Sequence, residues 1–97
     1  MGARPPVLIG ERVLWLGSGS GLPKSGTVKW IGRLPEMGPD WAVGLELDEA
    51  LPFGGIDGSW NNRKLFVCKH KHGLIVPHTS IIPQPAHKRE FYLFMSS

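Results

Sequence analysis

The apolar positions of this chain come in short runs, each closed by glycine or proline. Val13-Leu14-Trp15-Leu16 predicts a first strand and runs into Gly17-Ser18-Gly19-Ser20-Gly21, which is loop chemistry. Thr27-Val28-Lys29-Trp30-Ile31, bounded by Gly26 and Gly32, predicts a second. Arg33 to Asp40 carries two prolines and a glycine and reads as a loop. Trp41 to Leu47 predicts a third strand, in which Gly44 signals a bulge or a close backbone approach. Asp48 to Gly58, with Gly54-Gly55 inside it, reads as a second loop. Leu65-Phe66-Val67-Cys68 predicts a fourth strand, Leu74-Ile75-Val76 beyond the turn at Gly73 a fifth, and Ile81-Ile82 before Pro83 a last short one. No segment supports a helix of ten residues. The pattern predicts an all-β fold, a small, strongly bent antiparallel sheet or partly open barrel with long Gly-rich loops.

Composition narrows the class. Of 97 residues, 13 are Gly and 9 are Pro, which excludes a helical bundle. A hydrophobic fraction of 41% with four Trp is enough for one packed core, and the length leaves no room for two. The expected organisation is a leader over 1–8, one domain over 9–84, and a tail over 85–97 that is either an added edge strand or a disordered end. No apolar run approaches 18 residues, and the first residues lack the apolar centre of a signal peptide. One Cys permits no intrachain disulfide, which fits a reducing, cytoplasmic setting. The net charge of +3 is unevenly spread: six of the eight acids lie between 36 and 57, and six bases with no acid lie between 63 and 89. A basic second half suits an acidic partner, whether peptide, polymer surface or nucleic acid.

Catalytic and cofactor chemistry finds little footing. The Gly17–Gly21 stretch is followed by a turn into a strand, not a helix, and Pro23 stands before Lys24 where a phosphate loop has Gly, so no nucleotide site is expected. Cys68, His70 and His72 at alternate positions could ligate zinc only if His78 or His87 folded back, and ligands two apart on one strand rarely converge on a tetrahedral ion. A zinc-stabilised domain is therefore a competing class, and no metal or other cofactor is expected. Cys68 sits in an apolar run without an elbow or helix N-terminus, so it reads as an inert thiol and the chain as a non-enzyme. Aromatics are the productive group. Trp15, Trp30, Trp41, Trp60 and Phe66 are too many for a small core to hide, and beside a basic stretch they suit an extended peptide or single-stranded nucleic acid.

From Val13 to Ile82 the order of features resembles a CAP-Gly domain, the glycine-rich β-module of cytoskeleton-associated proteins. The matching stretches are Gly26-Thr27-Val28-Lys29-Trp30-Ile31-Gly32, then Trp41-Ala42-Val43-Gly44-Leu45-Glu46-Leu47-Asp48. Gly54-Gly55-Ile56-Asp57-Gly58 follows, and then Phe66-Val67-Cys68 with Gly73 after it. The resemblance implies a bent antiparallel, SH3-like sheet and the binding of short C-terminal peptides that end acidic-acidic-aromatic, found on α-tubulin and microtubule plus-end proteins. The family's signature loop is Gly-Lys-Asn-Asp-Gly, whose Lys and Asn donate to carboxylates.

This chain departs from that loop, with Gly55 in place of the Lys and Ile56 in place of the Asn. Two donors that would read an acidic tail are missing, each charge-assisted bond being worth about 1.5–3 kcal/mol. One extra residue separates Trp41 and Gly44, and the Phe usual in the 33–40 loop is absent, with Glu36 nearest its place. The altered loop is similar to those of the CAP-Gly modules of a deubiquitinase, in which Asp-Gly and a later Leu-Phe-x-Cys persist and the protease lies elsewhere. The expectation is a monomeric, non-catalytic module in the cytoplasm, associated with the cytoskeleton. It would bind an extended segment of a microtubule, plus-end or scaffold protein, a proline-rich segment included, with weakened recognition of acidic-aromatic tails. No membrane is involved. The expected groove is lined by Trp41, Trp60, Phe66 and the loop Gly54, Gly55, Ile56, Asp57 and Gly58, and rimmed by Arg63, Lys64 and Lys69. Restoring the pair with Gly55→Lys and Ile56→Asn is expected to strengthen acidic-tail binding. The competing reading is a basic barrel that binds single-stranded nucleic acid.

Overall fold

Strand pairing follows the predicted runs closely. The computed structural model describes residues 4–19 and 21–85. In it, β1 (Arg12–Trp15), β2 (Lys24–Gly32), β3 (Ala42–Leu47), β6 (Gly73–Pro77) and β7 (Ile81–Pro83) form one antiparallel sheet in the order β6-β3-β2-β1-β7. Two further strands, β4 (Ser59–Trp60) and β5 (Arg63–Lys64), make a separate hairpin. Among the described residues the only helical turns are two 3-10 turns, Pro35–Met37 and His78–Ser80. The fold is all-β, as the sequence predicts. Residues 86–97, over which an edge strand or a disordered end was expected, lie outside the described residues.

Central strand β3 is packed on both faces. Alternation sends Val43, Leu45 and Leu47 to one side and Ala42 and Gly44 to the other. The first side joins Val13, Val28, Leu51, Val76 and Ile81 in the main core, where Val13, Val28, Val43 and Leu45 have no exposed surface. Val7, inside the stretch read as a leader, is buried in the same core. The second side carries a smaller core of Leu34, Ala42, Phe66 and Ile75. Gly44 faces Ile75 on one neighbour and Trp30 on the other. A Cβ at Gly44 would lie 2.4 Å from the Phe66 ring and 3.0 Å from Trp30 Cβ, so the close approach read from the sequence is present.

The bulge falls on the neighbouring strand. Between Val28 and Trp30 the β2 register shifts, leaving Lys29 as the extra residue. Val28 opposite Leu45 faces the main core, Trp30 opposite Gly44 faces the second, and Ile31 opposite Val43 returns to the first. One inserted residue thus supplies a Trp to the side on which the candidate site lies.

Leu65-Phe66-Val67-Cys68, predicted as a strand, is not one. Its first two amides do not enter a ladder but both point at the Gly58 carbonyl, and Phe66 is buried as a plug over Gly44. An apolar run of four is equally compatible with an irregular segment held by its side chains.

A bidentate ion pair closes the sheet at the other end. Arg12 donates to Asp48 at 2.7 and 2.5 Å and to Thr27 Oγ1 at 3.0 Å, so it ties β1 to the end of β3 across β2. The hydrogen bonds from Arg12 hold the Asp48 carboxyl below its ordinary value of 3.8. A lowered carboxyl pKa stabilises the fold above that value and ceases to do so as pH falls through the lower, folded-state value. Because both side chains are about half exposed, the pair contributes roughly 0.2–1 kcal/mol. Asp48→Asn is expected to lower the urea midpoint at pH 7, by a difference that shrinks as pH falls below 3.8 and the Asp48 carboxylate takes up its proton. A difference that stays constant across that range would assign the stability elsewhere.

Candidate functional site

The 54–58 loop is held by main-chain bonds at both ends. Ile56 and Gly73 exchange N–H to carbonyl bonds of 2.9 and 2.8 Å, which fasten the loop to the start of β6. The Gly58 carbonyl accepts from the amides of Leu65 at 2.9 Å and Phe66 at 3.3 Å. Gly58 has φ +100°, and a Cβ there would meet the Phe66 carbonyl oxygen at 1.9 Å, so the position admits only glycine. Between these anchors the Asp57 carboxylate accepts from the Ser59 amide at 3.2 Å. That bond, with the Lys64 charge nearby, holds the Asp57 carboxyl below the usual range.

The hairpin Ser59–Lys64 then turns back over the second core. Asn61 and Asn62 both have positive φ, 49° and 64°, as a two-residue type I′ turn requires. Asn tolerates that region, so the pair Asn61-Asn62 between Trp60 and Arg63 was a readable hairpin signal that the strand prediction over 65–68 passed over. Pairing sets Trp60 opposite Arg63 and Ser59 opposite Lys64.

Of the expected groove residues, the structure brings Ile56, Trp60 and Phe66 into one apolar cluster with Leu34, Met37 and Trp30. Trp41 is outside it: the Arg33 guanidinium lies 4.5 Å from its ring centroid. Lys64, though exposed, is engaged: it donates to the Asp57 carbonyl at 3.0 Å with the Asp57 carboxylate at 3.6 Å. Arg63 and Lys69 are exposed, and the Lys69 amide is held by Glu46 at 2.8 Å. Sequence reasoning missed the role of Glu36, which it noted only as the neighbour of an absent Phe. Its carboxylate accepts from the Trp60 indole N–H at 3.3 Å and from the Asn61 side-chain amide.

Gly55 also needs correction. The sequence marks it only as standing in place of a Lys. A Cβ at Gly55 would in fact lie 2.2 Å from the Lys71 carbonyl oxygen. That oxygen accepts from the Leu51 amide at 2.8 Å and so is not free to move aside. The glycine is demanded by the backbone packed against it.

Cys68 lies beneath the loop, its thiol 3.7 Å from the Ile56 carbonyl, and burial followed by the Glu46 charge pushes its pKa up. A protonated, hydrogen-bonded thiol is a poor nucleophile and a poor ligand. His72 turns its Nδ1 to the His70 carbonyl at 2.9 Å, and among the described residues no three His, Cys, Asp or Glu side chains are grouped to hold a metal. His87 lies outside the described residues.

Comparison with known proteins adds the family. The CAP-Gly domain model matches residues 9–81. The Restin homolog of Drosophila melanogaster is 32% identical over 89 residues, covering 92% of this chain and 5% of that protein. The cell polarity protein alp11 of Schizosaccharomyces pombe is 44% identical over 50 residues, 50% of this chain and 20% of its own length. Tubulin-folding cofactor B of Arabidopsis thaliana is 38% identical over 53 residues, 55% of this chain and 21% of that protein. The chain thus spans a fifth or less of each of these relatives, to within a percentage point.

The geometry reverses the expectation for the double reversion. Gly55→Lys with Ile56→Asn is expected to lower stability by about 1–3 kcal/mol, through overpacking against the Lys71 backbone. Acidic-tail affinity is expected not to rise. Denaturant unfolding and a peptide titration check both, and a stable variant with restored binding would contradict the packing argument.

Proposed function

Since the chain belongs to the CAP-Gly domain family, we propose that it is a non-catalytic module that binds an extended peptide segment of a cytoskeletal or scaffolding protein. The observation that carries this reading is the cluster of Ile56, Trp60 and Phe66, set between a main-chain-pinned loop and the basic edge of a hairpin. Apolar area suits a peptide that brings an aromatic or proline ring, and Arg63 and Lys69 supply a polar rim. The relatives' names support the setting: one folds tubulin and one acts in cell polarity. A cytoplasmic, cytoskeleton-associated monomer follows from the same reading.

Recognition of acidic-aromatic tails is weakened in this proposal. Position 55 offers no cation, position 56 offers an apolar side chain that packs inward, and Lys64 is engaged by Asp57. Lys64, held by Asp57, is one basic group fewer for a nucleic-acid surface, which needs free basic groups to displace counterions. Docking a flexible segment costs conformational entropy, so micromolar affinity for the natural segment is expected.

In an NMR titration, a peptide ending in Glu-Glu-Tyr is expected to move the Trp60 and Ile56 resonances only at high concentration. Low-micromolar binding centred on Gly55 and Ile56 would overturn the weakened recognition. Trp60→Ala is expected to lose about 2 kcal/mol of binding to a cytoskeletal partner captured by the wild type, while the amide spectrum keeps its dispersion. Equal capture by both would move the groove elsewhere.

A further inference from the structure

Glu36 is an acid placed among donors. It lies in the 3-10 turn Pro35–Met37 and is exposed, so no burial argument places it there. Its carboxylate takes the Trp60 indole N–H at 3.3 Å and the Asn61 side-chain amide, two groups of the β4–β5 hairpin. Arg63, opposite Trp60 in that hairpin, adds its charge. An indole N–H and an amide N–H that converge on one carboxylate form a donor pair that would equally hold a carboxylate brought by a peptide.

We infer that Glu36 is the specificity-determining residue of this site: an internal carboxylate that occupies the hairpin's donors and bars segments whose docking end carries carboxylates. The inference rests on the peptide-binding reading above and supplies its selectivity. An acidic tail must either displace Glu36 from Trp60 and Asn61 or lie beside it against a like charge. A segment with no carboxylate at its docking end meets neither penalty and still finds the partly exposed apolar faces of Trp60 and Ile56. The Glu36 charge persists at neutral pH. Its own backbone N–H is the largest influence lowering its carboxyl pKa, with Trp60, Asn61 and Arg63 adding to it.

The experiment uses the whole chain as wild type, Glu36→Gln and Glu36→Ala. The probes are a peptide ending in Glu-Glu-Tyr and the same peptide as the amidated Gln-Gln-Tyr form. Without peptide, the Trp60 indole N–H resonance is expected to shift in both variants, because a charged acceptor has been removed. Affinity for the acidic peptide is expected to rise about tenfold or more in both, since a charge-assisted bond no longer competes. Affinity for the neutral peptide is expected to change less than about twofold, because no carboxylate is displaced. An unmoved indole resonance overturns the inference whatever the peptides do. Equal acidic-peptide affinity across the three proteins, undetectable in all three included, overturns it too. An equal gain for both peptides does the same, since that would be relief of crowding and not of charge. Failure of the underlying reading, that the groove lies at Trp60, is seen separately, in partner capture that survives Trp60→Ala.

Discussion

The site depends on one arrangement of main-chain bonds: the carbonyl of Gly58 accepting from Leu65 and Phe66, and the exchanged pair between Ile56 and Gly73. Together they fold a loop of low intrinsic order onto the second face of the sheet. Each bond contributes on the order of 1 kcal/mol net. Their effect is larger than that sum because they position side chains. With Gly58 fixed, Phe66 drops over Gly44, and with Ile56 fixed, its side chain packs against the same core that Trp60 packs against. Removing the glycine at 58 or at 55 sets a Cβ against a carbonyl oxygen, so the loop has very little freedom to be built from other residues.

The sheet is made to receive that loop. Strand β3 buries both of its faces, and the extra residue at Lys29 turns Trp30 toward the second core while Ile31 stays with the first. Without the bulge, alternation would carry Trp30 to the same face as Val28. Gly44 then leaves room on β3 for two aromatic side chains to meet. The aromatic surplus visible in the sequence is therefore divided: Trp30 and Phe66 complete the second core, Trp60 covers its edge, and Trp41 lies under Arg33.

Most of the fold was legible because it rests on local patterns: β-prone runs between glycines and prolines, and a glycine inside β3 with a packing reason. Apart from one hairpin turn, what escaped reading was nonlocal. The run Leu65–Cys68 has strand composition, yet its amides are taken by Gly58 and its side chains by the second core, a choice made by tertiary contact. The hairpin signal at Asn61-Asn62 was local and readable. Glu36 could not be placed from sequence, because it acts on donors more than twenty residues away, Trp60 at 24 and Asn61 at 25. Gly55 showed a missing Lys, but the oxygen that forbids a side chain belongs to Lys71.

The 54–58 loop is a pinned part of the fold, and the surface of Ile56 and Trp60 rests on it. Amide hydrogen exchange of the native chain tests it most directly. Ile56, Leu65 and Gly73 are expected to exchange as slowly as amides of β2 and β3, because opening them requires opening the second core. Fast exchange at those three amides, against slow exchange in the central strands, would mean a loop that is loose in solution, and the account of the site would fail with it.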